Sequence, residues 1–489
     1  MAKELILGLD VGTSSVKGIF IDLNGIVIRR VEIKIKSHHF MNVYVEQDAE
    51  DYLLAIESIS KKNTDLITDV VAIGLSGQTP SVVCTAEDGS PVRPVLIWQD
   101  NRSGSEADEL TSHFGNPMRL IGTSLPWAAS ACPAKMLWLS RNEEKTVSNT
   151  RWILQPKDFV GLHLTGTAIS DPWSSKGLCN VKTRAPIEEL FNFVGWDKKV
   201  MPQLLDGFAS RGKITKEASS RFNFNLGVEI SVGWSDAMCG MAAMGVLTEP
   251  GSFVITGTSA IVGSSSHESP SDASGLYIIP NTCAPMSVTY GPTQSSGAAI
   301  AWASELFNED PSDLIDSALG AVSANIPIFL PYISGERAPL WRSDIRGGLY
   351  SINAMAGKAE IAAAVMEGVS FAEKQVVELA EELIGFKQSN IRLGGHAGND
   401  IRWEKIRHRT LGRAISRYED IDITTRGSAM LAHAIMSKDF LMSYHSLAYK
   451  PANSIPLSED LVYSESKFKA FLSAQEYAID LANKNRNRS

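Results

Sequence analysis

The chain has 489 residues, 44% of them hydrophobic and 21% charged, a balance that excludes a disordered or collagen-like polypeptide and suits two large domains or about three ordinary ones. Its formal net charge of −9 argues against partners that demand a basic surface, such as nucleic acid or an anionic membrane, but leaves small anionic ligands open to a local cluster of donors. No stretch approaches the ~18–20 apolar residues that span a bilayer, the N-terminus lacks a signal-peptide core, and the five scattered cysteines form no CxxC pair, so reduced thiols and a cytoplasmic location are expected.

Glu4–Asp10 is an apolar run ending in an acid and is expected to be a strand. The turn Val11–Ser15 leads to a second strand over Val16–Asp22. Asn24-Gly25 is a hairpin signal, and Ile26–Lys36 alternates as a half-buried strand should. His38-His39 is expected to be a solvated strand end rather than a metal site. A helix over Ala49–Lys61 and a buried strand over Val70–Leu75 follow. Three antiparallel strands, a helix and a further strand resemble the start of a ribonuclease H-like domain. Gly251–Ser264 repeats the strand–turn–strand plan around Gly257-Thr258-Ser259, with a third strand over Met286–Tyr290 and a helix over Gly297–Phe307. The expected architecture is therefore α/β: two ribonuclease H-like lobes, each a mixed sheet flanked by helices, spanning residues 1–246 and 247–489. Apolar or small residues at Ile361, Val365, Val369, Ala372, Val376, Leu379 and Leu383 predict one long helix capped by Gly385. Asn390–Gly394 reads as a strand and Ile401–Ala414 as a helix. A further helix is expected over Gly427–Phe440, its small first residues (Gly427, Ser428, Ala429) letting something approach its N-terminus, and Lys484–Ser489 is expected to fray.

No P-loop, GxGxxG, GxSxG in a suitable context, or HExxH motif is present. What remains is Asp10-x-Gly12-Thr13-Ser14. Gly12 lets the backbone approach an oxyanion, Thr13 and Ser14 offer hydroxyls, and Asp10 is placed to assist a hydrated Mg²⁺ at phosphate oxygens. A hairpin using Gly and Thr only for its own turn is the alternative; a second such turn at Gly257-Thr258-Ser259 favours phosphate. Asp236 lies in GWSDAMCG at the start of an apolar helix. It is either an N-cap or a carboxylate with room beside it for a ligand, able to take a proton from an attacking hydroxyl.

The stretches GLDVGTSSVKG (8–18), GLSGQ (74–78), LIWQDNR (96–102), PKD (156–158), GWSDAMCGMAAMG (233–245), ITGTSA (255–260), FLPYISGERAPLW (329–341), GGLYSI (347–352), VMEGVSF (365–371) and GGHAGND (394–400) occur in this order. In them the chain resembles the FGGY family of carbohydrate kinases, most of all its xylulokinase branch. The resemblance implies ATP and Mg²⁺, a small sugar as acceptor, and a cleft between the lobes that clamps both substrates; homodimers are frequent in the family. It implies that Asp10 assists the metal, that Gly12, Thr13, Ser14, Lys17, Gly257, Thr258 and Ser259 meet the phosphates, and that Gly394, Gly395 and Asn399 receive the adenosine. Asp236 would be the general base, with Gln78, Thr79, Trp98, Asp100 and Arg102 around the sugar. Two residue-level alternatives stay open: Asp100 and Arg102 as a local ion pair, and Trp98 as a core residue.

Three departures limit the substrate. Gln78-Thr79-Pro80-Ser81 stands where the branch usually has Gln-Met-His-Gly. His396 replaces the third glycine of Gly-Gly-Gly, and the signature around Lys135 and Trp138 is partial. D-Xylulose is the leading expectation, with ribulose, gluconate or a polyol as alternatives. A nucleotide-binding module without sugar chemistry and a non-catalytic sugar sensor are readings of a different class.

Overall fold

A computed structural model describes residues 4–41, 43–395, 400–419, 422–456 and 458–486. The chain forms two compact units. The first takes the chain up to Thr248 together with Ile279–Pro285 and Ile423–Ala448, and the second takes the remainder. The crossing at Thr248 lies beside the expected boundary, but no single cut separates the units, because a late segment returns to the first one.

In the first unit, β1 (Leu5–Val11), β2 (Ser15–Asp22) and β3 (Val27–Lys34) form the antiparallel meander. α1 (Ala49–Lys62) leads to β4 (Val70–Gly77), which pairs parallel to β1. Residues Tyr44–Gln47, before α1, form a short strand that the sequence pattern did not single out. β5 (Ser210–Lys213), β6 (Glu229–Ser231) and β7 (Trp234–Ser235) complete a seven-stranded sheet, β7 pairing parallel to the end of β4. The alternation of β1 explains how it is buried on both faces. Leu5, Leu7, Leu9 and Val11 join one apolar core with Ile56 and Ile59 of α1, while Gly8 faces the other way.

That second face is covered by the helix Ile423–Ser437, which begins four residues earlier than the small-residue run suggested. Its small residues are therefore interior to the helix rather than at its N-terminus, and what approaches them closely is the protein's own backbone. A Cβ on Gly74 would lie 1.6 Å from the Ser428 carbonyl oxygen, and one on Gly8 would lie 2.3 Å from that of Thr425. Gly427 in turn lets the helix approach within 1.9 Å, by the same measure, of the Cys239 carbonyl. The glycines buy close packing of helix on sheet.

In the second unit, β8 (Gly251–Thr256), β9 (Ala260–Ser266), β10 (Tyr277–Ile279) and β11 (Ser287–Thr293) precede α2 (Gly297–Phe307) and α3 (Pro311–Leu319). The predicted long helix is α4 (Lys358–Ile384), closed by left-handed Gly385. β12 (Asn390–Gly395) then pairs parallel to β8, as β4 does to β1. The repeated strand–turn–strand plan thus produces two sheets of the same local topology. α5 (Ile401–Leu411) ends three residues short of expectation, because Gly412 has φ +63° and Ala414 opens a strand that pairs with β12. The last helix, α6 (Ser458–Arg486), carries regular structure into the tail that was expected to fray, and Arg486 pairs with Asp344 at 2.8 Å. Among the described residues, no helix is long and apolar enough to cross a membrane.

Candidate active site

The register of the first sheet places the chemistry. Asp10 is opposite Ser76, and Ser76 is opposite Trp234. The carboxyl ends of β1, β4 and β7 therefore lie side by side, where open α/β sheets bind ligands. The Ser76 hydroxyl donates to Asp10 Oδ1 at 2.9 Å. Gly12 N–H donates to the Ser15 carbonyl at 3.0 Å and closes the β1–β2 turn. Ser14 is exposed, Thr13 and Lys17 are half-buried, and Lys17 stands opposite Asp10 in the antiparallel register.

The turn is tied to two of the residues expected around the sugar. Thr13 Oγ1 donates to Gln78 Oε1 at 3.2 Å and accepts from Trp98 Nε1 at 2.9 Å. Trp98 is 40% exposed, so it is not a core residue. Thr79 is half-buried beside them. Beneath this layer is a residue that motif reading missed. Gln47 Nε2 donates to the Thr13 carbonyl at 2.6 Å, while Gln47 Oε1 accepts from Gln78 Nε2 at 2.8 Å and from Tyr52 Oη at 2.7 Å. The available signal was a glutamine in an otherwise buried strand just before the helix-capping Asp48.

Asp100 and Arg102 form the ion-pair arrangement. Asp100 is fully buried and accepts from Val45 N–H at 2.7 Å and from Arg102 Nε at 2.9 Å. Arg102 also donates to Glu46 at 2.7 Å, and its guanidinium lies 4.0 Å from the Tyr44 ring centroid. These bonds engage Asp100 fully and Arg102 through Nε and Nη2, and they brace the loop. Lys135 supports the same loop by donating to the Ile97 carbonyl at 2.7 Å, and burial pulls its ammonium down to about 7.

α-Helix Asp236–Ala243 follows β7 directly, with Ser235 as its N-cap, accepting from Met238 N–H. Asp236 is therefore not needed as the cap. One of its oxygens accepts from Ala237 N–H at 2.7 Å. Burial pushes its carboxyl up to about 6, opposed by that N–H and by the positive charge of Lys176. Lys176, in turn, is pulled down to about 8 by burial, against the charges of Asp171 and Asp236. Its ammonium donates to the Trp173 carbonyl at 3.1 Å.

The second unit has its own turn. Gly257 N–H donates to the Ser259 carbonyl at 2.7 Å. Thr256 pairs with Gly395 and Ile255 with Gly394, so the Gly257–Ser259 turn and the Gly394-Gly395 pair share one end of the sheet. Gly395 is left-handed, and a Cβ there would lie 2.2 Å from the Thr256 carbonyl oxygen. Asn399 and His396 lie outside the described residues. Next to the turn is a cavity of about 310 Å³ lined by Gly297, Ile300 and Ala301 of α2, Ile315 of α3, and Arg402 and Trp403 of α5. Ser312, Asp400 and the Arg402 guanidinium paired with it add polar groups to these largely apolar walls, which suit a flat heteroaromatic ring.

Residues 5–245 match the N-terminal domain of the FGGY family of carbohydrate kinases, and residues 253–436 match its C-terminal domain. The chain belongs to this family. It is 27% identical over 406 residues to a xylulose kinase of Lactococcus lactis, covering 81% of this chain and 80% of that protein. Two solved structures from Lactobacillus acidophilus share its fold, each with a TM-score of 0.90. One is a gluconate kinase, 23% identical, with all of both chains covered. The other is a ligand-bound xylulose kinase, 22% identical, covering 98% of this chain and 99% of that one. The protein is accordingly a carbohydrate kinase of the xylulokinase-like branch.

Among the described residues, no group of three or more His, Cys, Asp or Glu side chains is arranged to hold an ion. Mg²⁺ in phosphoryl-transfer sites takes only one or two protein carboxylates, the rest of its shell being water and substrate phosphate. Asp10 fits that requirement: Oδ1 is oriented by Ser76, and Oδ2 lies over Gly12, 3.5 Å from where a Cβ would stand.

Proposed function

We propose that this kinase transfers the γ-phosphoryl group of ATP to a terminal hydroxyl of a ketopentose such as D-xylulose, with Asp236 as general base. The observation that carries the reading is the placement of Asp236 at the head of a helix, beside the strand ends that hold Asp10 and Gln78. With its carboxyl at about 6, Asp236 is about nine-tenths ionised at pH 7 and ready to accept the hydroxyl proton.

In this reading the Gly12–Ser14 turn of the first unit and the Gly257–Ser259 turn of the second each donate backbone N–H and hydroxyl groups to phosphate oxygens. Asp10 would hold Mg²⁺, which neutralises charge on those oxygens when bound. The cavity beside α2 accepts the adenine. Gln78 and Trp98, oriented by Thr13 and Gln47, face the sugar.

An aldonate such as gluconate is the second reading. The positive charge of Lys176 beside Asp236 favours it. A coupled assay of ADP release across pentuloses, hexuloses, aldonates and polyols separates the two. Turnover with no acceptor above the sugar-free rate would end both.

A further inference from the structure

The segment Ser334–Trp341 contains a buried acid that neither the phosphate turns nor the sugar-facing residues account for. Glu336 is 4% exposed. Its Oε1 accepts two backbone N–H groups, from Gln294 at 2.5 Å and Arg337 at 2.7 Å. Its other oxygen, Oε2, has no hydrogen-bond partner among the described residues. Burying a carboxylate is costly unless its bonds secure something. The adjacent residues extend the same hold: Arg337 donates to the Thr293 carbonyl at 2.6 Å, and Ala338 N–H donates to the Pro292 carbonyl at 3.0 Å.

The bonds to Pro292, Thr293 and Gln294 hold the end of β11 and the start of its connection to α2, and the residues that follow grip the second phosphate-type turn. Gly297 N–H donates to the Gly257 carbonyl at 2.9 Å, and the N–H groups of Ser296 and Ala298 both donate to the Thr258 carbonyl at 3.0 Å. The packing there leaves no slack, since a Cβ on Gly297 would stand 2.8 Å from the Gly257 oxygen. Thr293 Oγ1 also accepts from Ala260 N–H at 3.2 Å, just past the turn. The Glu336 carboxyl group is therefore joined to the backbone of Gly257 and Thr258 by its hydrogen bond to Gln294, the short stretch of chain that follows, and the bonds from Ser296, Gly297 and Ala298.

We propose that Glu336 is a positioning residue for the nucleotide: it fixes the β11–α2 connection, and through it the Gly257–Ser259 turn, without touching either substrate. The inference rests on the reading of that turn as a phosphate site. It predicts a selective defect. The test measures ADP affinity directly by titration, together with KM for ATP and for the best acceptor, in Glu336→Ala, Glu336→Gln and Gly257→Val.

Glu336→Ala is expected to weaken ADP binding and raise KM for ATP by about tenfold, the effect of losing roughly one well-made charged hydrogen bond. KM for the acceptor stays within about twofold of wild type on the same scale. Glu336→Gln keeps the accepting oxygen and is expected to restore most of the affinity; it also serves where the alanine variant fails to fold. Equal losses for ATP and acceptor, or unchanged ADP affinity in Glu336→Ala, would overturn the proposal. So would a loss of ADP affinity in Glu336→Gln as large as in the alanine variant. Gly257→Val puts a branched side chain into the turn itself. If it leaves ADP binding intact, the phosphate reading of the turn fails. If it weakens binding while Glu336→Ala does not, only the bracing role fails.

Discussion

Replacing Asp236 by asparagine should produce two effects of opposite sign. Asparagine has nearly the same shape and can still accept from Ala237 N–H, but it cannot take a proton. Loss of a general base costs about 10²–10⁴ in rate, so kcat should fall by that factor while ATP affinity persists. Stability should move the other way. Raising a carboxyl from its ordinary value to about 6 corresponds to about 3 kcal/mol held against ionisation within the fold. The folded value lies above the unfolded one, so the contribution to stability is fully present below about pH 4 and is lost as pH rises through about 6. A neutral side chain escapes that loss. The Asp236→Asn variant should therefore match wild type in melting temperature near pH 4 and exceed it by a few degrees above pH 7. Thermal melts from pH 4 to 8, with ADP release measured on the same samples, test both limbs. In wild type, kcat/KM should fall about tenfold between pH 7 and pH 5. Near-normal turnover in the variant would refute the base assignment. A variant less stable than wild type at pH 7 would refute the half-buried carboxylate, held against ionisation by the fold, on which the assignment depends.

Other substitutions separate packing from chemistry. Gly74→Ala should cost about 3 kcal/mol or prevent folding, because the new Cβ would collide with the Ser428 carbonyl; Gly104→Ala, at a helix position with open space around it, should stabilise by about 0.5–1 kcal/mol in the same urea titration. Gln47→Leu removes the bonds to Thr13 and Gln78 and should raise KM for the acceptor about tenfold, and an unchanged KM would show that the layer beneath the turn is dispensable. Arg102→Lys breaks the fork on buried Asp100 and should lower stability by about 2–4 kcal/mol with little change in acceptor KM; a KM effect without a stability loss would return Arg102 to the sugar.

Local sequence made the strands and most helices legible, because they follow apolar periodicity and turn chemistry. The meander before α1, the long helix ending at Gly385, and α2 with both its ends are legible from residues within the same window. The boundaries that moved are those decided by distant partners. The helix containing Gly427 and Ser428 reads as starting at its small residues when only the chain is considered. In the fold it starts at Ile423, and those residues face Gly74 and Cys239. A run of small residues carries the same sequence signal whether a ligand or a sheet occupies the space beside it.

The site divides along the same line. Asp10 and Asp236 are legible because each sits at the junction of a strand with a turn or a helix, and the parallel register of β1, β4 and β7 then aligns those junctions. Gln47 and Glu336 are not, since a glutamine at the end of a short strand or a Gly-Glu-Arg turn gives no hint of the groups it will bind. Asp100 and Arg102 show the converse. An acid and an arginine two residues apart look like free donors and acceptors for sugar hydroxyls, yet Val45, Glu46 and Tyr44 arrive from elsewhere in the chain and engage both side chains. The residues that touch substrates in this reading are thus held by polar groups one layer deeper, Gln47 under the first turn and Glu336 behind the second, and substitutions there should alter one substrate's affinity at a time.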